Sequence, residues 1–430
     1  MTPTKRMKIA IIGAGPAGLT LARLLYISSI EVEFSVYEQD ASATSRTGQG
    51  GTLDLHAGSG LLAMQKCDIA DSFNKYARYD AQQMIIADKH GISMIDLGSQ
   101  SDRPDFERPE IDRIKLRKIL LESVPSEWIK WGHQLREVTE DGKLIFVSGE
   151  IHGPFDLIVG ADGAWSKVRS VLHAAKPVYS GVSGYEWKIH DAAKTCPQID
   201  KMVGQGSYMA MSEGNWIGAQ RLGDHSIEVR RFYQCPEGEA KMTLDKLGKQ
   251  ATMDDILQSY KDWAPEITDI LRQADVETMK AWTLYELPVG TQWSHKKGFT
   301  LLGDAASLAT PFAGQGVNKA MEDALRLSQY IEEAIVQGDI TLDDAVLSYE
   351  QSMFIRAEKV QRWTMVNKLN ALGPGSGPVV YFVGFVREMM GDSETWWVRW
   401  LASAPFASLL SVCLHARLKI GRIVRRFWRR

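Results

Sequence analysis

The chain has 430 residues, 44% hydrophobic and 24% charged, enough for two or three packed units with a sizeable core. A formal net charge of -3 and a pI near 6.3 argue against a nucleic-acid partner, which would call for a basic excess. The four cysteines (Cys67, Cys196, Cys235, Cys413) form no CxxC pair and no histidine stands at metal-ligand spacing, so neither a disulfide framework nor a metal is expected.

The N-terminus MTPTKRMK is short, polar and basic, without the apolar core of a signal peptide, which points to a reducing, cytoplasmic setting. MKIAIIGAGPAGLTLARLL then predicts strand, tight turn and helix. Ile9–Ile12 read as a strand buried on both faces, and Leu19, Leu21, Ala22, Leu24 and Leu25 supply a helical face. A second strand, Val32–Tyr37, ends in Glu38 and completes a βαβ unit of a doubly wound α/β sheet.

Helical spacing follows from Gly58 to Ala77. MIIADKHGISMIDLG reads as a hairpin with His90-Gly91 at its tip, and RIKLRKILLES as an amphipathic helix. GKLIFVSGEIHGPFDLIVGADG predicts a strand pair and then the apolar strand Leu157–Val159. Between Val178 and Thr283 the texture changes to short alternating strands, interrupted by the helical stretch MDDILQSYKDWAPEITDILRQA. A long helix from Leu342 to Leu372 ends at GPGSGP.

Gly13, Gly15 and Gly18 form GxGxxG between strand and helix. The first glycine allows the tight turn, the second a close approach to pyrophosphate, and the third close helix–strand packing. Glu38 stands where an acid hydrogen-bonds a ribose hydroxyl. This fingerprint fits FAD and NAD alike, and a glycine turn in an unliganded α/β protein would look similar. Two further strand ends carry Asp162-Gly163 and Gly303-Asp304, the latter inside GFTLLGDAASLATPFAGQGVNKAMEDA.

Together these three motifs resemble the class A FAD-dependent monooxygenases of the para-hydroxybenzoate hydroxylase fold. GGTLDLHAGSG, PEIDRIKLRKILLES, ADGAWSKVR and GDAASLATPFAGQGVNKAMEDAL look most like the tetracycline-inactivating monooxygenases and their fungal secondary-metabolite relatives, over residues 7–372. The resemblance implies a Rossmann-like FAD-binding domain (1–76, 102–177 and 293–340) with an inserted antiparallel β-sheet substrate domain (77–101 and 178–292). A bridging helix (341–373) and an apolar, basic extension (374–430) would follow.

It also implies roles. Gly13, Gly15, Gly18 and Glu38 would hold the ADP half of FAD, Arg117 would reach the phosphate and ribitol region, and Asp304 a ribitol hydroxyl. Asp54 would lie near the flavin, and Asp162-Gly163 would serve both FAD and a passing NADPH or NADH. Pro311, Gly314 and Gly316 would let backbone lie along the flavin's pyrimidine edge, with the helix from Val317 aiming its positive end there. No side chain is then an obligatory catalyst, because flavin C4a carries the chemistry with O2.

The expected reaction is hydroxylation, epoxidation or Baeyer–Villiger oxygen insertion into an electron-rich organic molecule, such as a polyketide or meroterpenoid. Another FAD oxidoreductase (reductase or dehydrogenase) and a flavoprotein that only sequesters a ligand are the alternatives. Candidate pocket residues are Tyr185, Glu186, Trp187, Ser207, Gly218, Arg230 and Phe312. Where the tetracycline enzymes grip the drug with a glutamine and an arginine, this chain aligns Glu186 and Ser207, and an aromatic position falls at or near Gly218. Tetracycline is therefore not the expected substrate. Arg230, next to Arg231 on an alternating strand, reads as solvated, and His56 and His190 as structural. From Pro378 onward nine Lys/Arg stand against three Asp/Glu, so residues 378–430 could rest on an anionic membrane surface.

Overall fold

The run MKIAII forms β1 (Met7–Ile12), the middle strand of a five-stranded parallel sheet in the computed structural model, which describes residues 6–46, 50–97, 108–391 and 408–419. Ile9, Ile11 and Ile12 are β-branched and buried, which suits a strand covered on both faces. Each such side chain contributes about 1.5–3 kcal/mol on burial. In sheet order the strands are Phe299–Leu301, Leu157–Gly160, β1, β2 (Val32–Tyr37) and Ile129–Lys130. Helix α1 (Pro16–Ile27) packs its Leu19, Leu21 and Leu24 into the same core, beside the helix Gly316–Gln337.

The chain divides into two units. The first comprises residues 1–77, 104–178 and 285–362, and the second 78–103, 179–284 and 363–430. The long helix is Leu342–Leu372, so the division falls within it and assigns its last turns to the second unit.

The second unit is built on a seven-stranded sheet. Its order is Asp275–Glu286, Val178–Ile189, Ile227–Gln234, Asn215–Arg221, Ser207–Ser212, Met84–Ala87 and Ser93–Leu97. The sheet is not purely antiparallel as expected, because Ser207–Ala210 pairs in parallel with Met84–Ala87. That hairpin comes from a distant part of the chain and joins an open edge, so no short turn dictates its direction. Helices Lys249–Ser259 and Pro265–Arg272 back one face, the second burying Ile267, Ile270 and Leu271 at helical spacing.

After GPGSGP the chain re-enters a helix, Pro378–Gly391, with Val379 and Tyr381 buried, and residues 408–419 form another with Leu414 and Leu418 buried. No helix among the described residues is long and apolar enough to cross a membrane. Part of the apolar stretch and the basic end, residues 420–430, lie outside the described residues.

Candidate functional site

Strand register assembles the site. Ile12 lies level with Tyr37 on one side and Gly160 on the other, and Gly160 lies level with Leu301. All four strands run the same way, so their next residues, Gly13, Glu38, Ala161 and Leu302, leave the sheet along one carboxyl edge. In an open parallel sheet that edge is where a ligand binds. Three motifs separated by long stretches of sequence thus open side by side.

At the first turn Gly13 has φ of +111°, and a Cβ there would sit 2.4 Å from the Ala161 carbonyl oxygen. A Cβ on Gly18 would sit 2.0 Å from the Gly13 oxygen. Glycine is required at both positions to bring helix, turn and the Asp162 loop together. The buried Glu38 carboxylate accepts the Ala14 N–H through Oε2 (2.7 Å) and the Asp40 N–H through Oε1 (3.0 Å). Arg117 donates to Asp40 Oδ2 (3.0 Å) and the Ala43 carbonyl (3.1 Å), and its guanidinium lies over the Trp131 ring. Arg46 bridges Glu38 and Asp40 at 3.3 and 2.6 Å. Asp40, Arg46 and Trp131 were not singled out from sequence, since only their partners carry motif positions.

The second and third turns are tied together by buried cations. Asp162 Oδ2 accepts the Lys167 N–H (2.7 Å), while its Oδ1 is buried and without a partner among the described residues. Burial raises the Asp162 pKa, outweighing Ser166 and the N–H groups of Lys167 and Val168. Arg169 is buried and donates to the carbonyls of Ala164, Asp304 (3.4 Å) and Ala305 (2.9 Å). Lys319, also buried, donates to the Ser307 carbonyl, to Ser307 Oγ (2.6 Å) and to the Gly303 carbonyl (3.4 Å). Asp304 itself is exposed, although every other residue from Leu301 to Leu308 is buried. The carboxylate is thus presented outward by backbone fastened from behind.

Behind this loop, Asp323 accepts the Gly303 N–H (3.2 Å) and the Arg356 guanidinium (3.3 Å). Burial lowers the Lys319 pKa and raises that of Asp323, and the charges facing them offset this only in part. Sequence reading missed Lys319 and Arg169. Their one signal was basic residues inside otherwise apolar, glycine-bounded motifs.

Pro311–Ala313 form one turn of 3-10 helix, Gly314 has φ of +63°, and the helix Gly316–Gln337 starts without a side-chain cap. Pro311, Gly314 and Gly316 are exposed and Val317 half-buried, while Phe312 is buried. Asp54 faces this loop. A Cβ on Gly314 would come within 3.8 Å of an Asp54 carboxylate oxygen. His56 Nε2 lies 2.8 Å from Asp54 Oδ2, and Gln315 Nε2 lies 3.2 Å from His56 Nδ1. Asn318 Nδ2 donates to the Asp54 carbonyl (2.8 Å), and Asn318 Oδ1 accepts the His56 N–H (2.8 Å). Burial would raise the Asp54 pKa, but the hydrogen bond and charge of His56, with Arg108, hold it below the ordinary value.

A bound FAD fits these features. Its pyrophosphate suits the uncapped N-terminus of α1 and its flavin the exposed loop Pro311–Gly316. Its hydroxyls would satisfy Asp304 and the orphaned Asp162 Oδ1, and an acceptor oxygen the orphaned, buried Arg117 Nε.

In the second unit, Glu186, Arg230, Gly218 and Met209 stand in one row across four strands, and Ser207 lies two residues along the same face. Tyr185 and Trp187 point the other way and are corrected from pocket walls to core. Both are fully buried on the helix-backed face, and Tyr185 donates to the Ala240 carbonyl. Strand alternation decides it. Arg230 is not simply solvated, since it pairs with Glu186 Oε2 (3.1 Å) and with Glu228. Arg231 turns into the core, its guanidinium 3.8 Å from the Tyr233 ring centroid. At Gly218 the aromatic is supplied by a neighbour: a Cβ there would lie 2.2 Å from the Trp216 ring, which stacks on Phe232.

The FAD binding domain family matches residues 6–364. Monooxygenase penA of Penicillium thymicola is 33% identical, an alignment covering 86% of this chain and 96% of penA. Among solved structures, Klebsiella pneumoniae HpxO complexed with FAD and uric acid aligns with a TM-score of 0.70 at 19% identity, covering 96% of this chain and 97% of that one. Tetracycline destructase Tet(51) aligns with a TM-score of 0.60 at 16% identity, covering 95% and 98%. At these identities the two structures speak for the fold.

Proposed function

The chain belongs to the FAD binding domain family and is an FAD-dependent monooxygenase, and on that premise we propose that it uses NADPH or NADH to insert one oxygen atom from O2 into an electron-rich secondary metabolite. The observation that carries the site assignment is the register row Ile12–Gly160–Leu301, which opens Gly13, Asp162 and Asp304 along one sheet edge. When bound, FAD would relay two electrons from NADPH or NADH to O2 and so activate it. The chain's own part is to bind, orient and polarise.

Gly13, Gly15 and Gly18 give pyrophosphate access to the N–H groups of α1, and Glu38 offers its carboxylate to a ribose hydroxyl. Arg117 serves the phosphate and ribitol region, Asp304 a ribitol hydroxyl, and Asp162 both FAD and the passing NADPH or NADH. Pro311, Gly314, Gly316 and Val317 border the flavin, and the positive end of the helix Gly316–Gln337 stabilises negative charge that develops there. Asp54 is kept ionised by His56 and would hold the loop through Asn318 and Gln315.

The face bearing Glu186, Ser207, Gly218 and Arg230 supports a substrate without a strong charge. Its one arginine, Arg230, already pairs with two acids, Glu186 and Glu228, so it is not left over for an anionic substrate, and the Trp216–Phe232 stack offers an aromatic surface. These features favour a neutral polyketide- or terpenoid-type molecule over an anionic one.

The test is to load purified protein with FAD and follow NADPH and NADH oxidation across phenols, polyketides and terpenoids under 18O2. One labelled oxygen in the product is expected. Substrate-stimulated NAD(P)H oxidation without label in product would assign a dehydrogenase or reductase instead. Ligand binding without any NAD(P)H oxidation would assign a sequestering protein.

A further inference from the structure

Outside the cofactor site, a β-meander brings together residues that sequence spacing keeps apart. Its strands are Leu135–Val138, Leu144–Phe146 and Ile151–His152, with His133 just before the first and Glu150 at the last turn. His133 Nε2 lies 3.1 Å and His152 Nε2 3.4 Å from the same atom, Glu150 Oε2. The three potential ligand atoms lie within 4.8 Å of one another.

The outer nitrogens settle what these contacts require. His133 Nδ1 lies 2.8 Å from the Trp131 carbonyl oxygen, which can only accept, so Nδ1 carries the hydrogen. With Nδ1 donating, His133 Nε2 can meet Glu150, another acceptor, only through a metal ion or a proton held between them. His152 is also held from outside, its Nδ1 lying 3.1 Å from the Tyr37 hydroxyl, which can either donate or accept. Both rings are fixed edge-on against Phe146 and Tyr37. Ring nitrogens held by outer partners, with the inner nitrogens convergent, are how histidine ligands are oriented at a metal. Zinc ligand bonds of about 2.0–2.1 Å give tetrahedral edges of about 3.3–3.4 Å, which the 3.1 and 3.4 Å contacts approach.

We propose that His133, Glu150 and His152 form a zinc-class divalent-cation site that clamps the meander to the end of β2. Two imidazoles and one carboxylate select zinc over magnesium or calcium and leave a fourth position to water, which the half-exposed Glu150 keeps accessible. The clamp has a route to the cofactor site. Tyr37 is the last residue of β2, and the His133 N–H donates to the Glu38 carbonyl (2.8 Å). Zinc would thereby brace the segment that carries the ribose-binding acid. Sequence spacing gives no sign of this cluster, because only the meander brings its three residues together.

The experiment uses the untagged, full-length protein stripped with EDTA and titrated calorimetrically with ZnCl2 and, separately, with MgCl2. One zinc per chain is expected, with a raised melting temperature and no response to magnesium. Glu150→Gln and His152→Ala should each weaken zinc binding by more than about tenfold and abolish the thermal shift. Tetrahedral Co2+ absorption bands should appear in the wild type and vanish in Glu150→Gln, a surface change compatible with folding. Absence of zinc binding at micromolar concentration, or stoichiometric binding unchanged in Glu150→Gln and His152→Ala, would overturn the proposal, because a proton would then be the cation between these groups.

Discussion

Lys319→Met is the sharpest test of how the Asp304 loop is held. Methionine keeps the buried stem but removes an ammonium that donates to the Ser307 carbonyl, Ser307 Oγ and the Gly303 carbonyl. Three acceptors left dry cost about 1–3 kcal/mol each. Against this, removing a desolvated charge returns several kcal/mol, and the lowered Lys319 pKa shows that burial is the larger influence on that group. The substitution also takes a cation from Asp323, whose pKa burial already raises, and that pushes the balance back toward loss. The expected net destabilisation is about 2–4 kcal/mol, measured by urea unfolding. Loosening of the Gly303–Ser307 backbone should also raise the Kd for FAD at least about tenfold, or ~1.4 kcal/mol, in a flavin-fluorescence titration. Should Lys319→Met fail to fold, Ser307→Ala removes a single acceptor and should give a smaller rise. A Lys319→Met protein that unfolds at or above the wild-type midpoint and binds FAD equally well would refute the reasoning.

Gly18→Ala places a Cβ 2.0 Å from a backbone oxygen and should abolish FAD retention, read as flavin absorbance of the purified protein. Asp304→Asn should weaken FAD at least about tenfold while moving the unfolding midpoint far less than Lys319→Met does, because the side chain is exposed and touches the fold only through its charge on Arg169 and Lys319. Gly218→Ala, 2.2 Å from the Trp216 ring, should displace that indole and change KM severalfold for whichever substrate is turned over, leaving the Kd for FAD intact. His295 is partly buried, which lowers its pKa, but its bonds to Glu350 (2.8 Å) and Asp343 (3.2 Å) win and raise it. A raised folded-state value means that its stabilisation is complete below about pH 6.5 and fades as pH rises through that value. His295→Gln should therefore cost more stability at about pH 5.5 than at about pH 8.5, and equal losses in urea titrations would remove this account.

The elements that sequence made legible are those whose residues act locally. The apolar run before Gly13, the alternation of Ser207–Ser212 and the helical period from Leu342 each describe their own backbone, and the observed spans agree. Residues whose role depends on a partner elsewhere were not legible. Trp187 looked like a pocket aromatic until register placed Glu186 on the other face. Lys319 carries no motif position of its own, and only the fold sets it beneath Ser307. Gly218 was likewise legible only in part, because the space a side chain there would need is filled by Trp216, two residues back on its own strand.

The charge layout indicates how such a site handles an anionic cofactor. Arg46 and Arg117 stand beside the dinucleotide turn, yet both already neutralise Asp40, and Arg46 also touches Glu38. Arg169 and Lys319 are buried and turned to backbone carbonyls. On the proposed reading little free cationic charge is left for pyrophosphate, so the N–H groups and dipole of α1 must carry it, worth up to about 2 kcal/mol in a partly buried geometry. Backbone dipoles are fixed by the sheet register, whereas lysine side chains move. A site built this way depends on the row Ile12–Gly160–Leu301 staying level, which is why its buried cations are spent on fastening loops rather than on gripping the ligand.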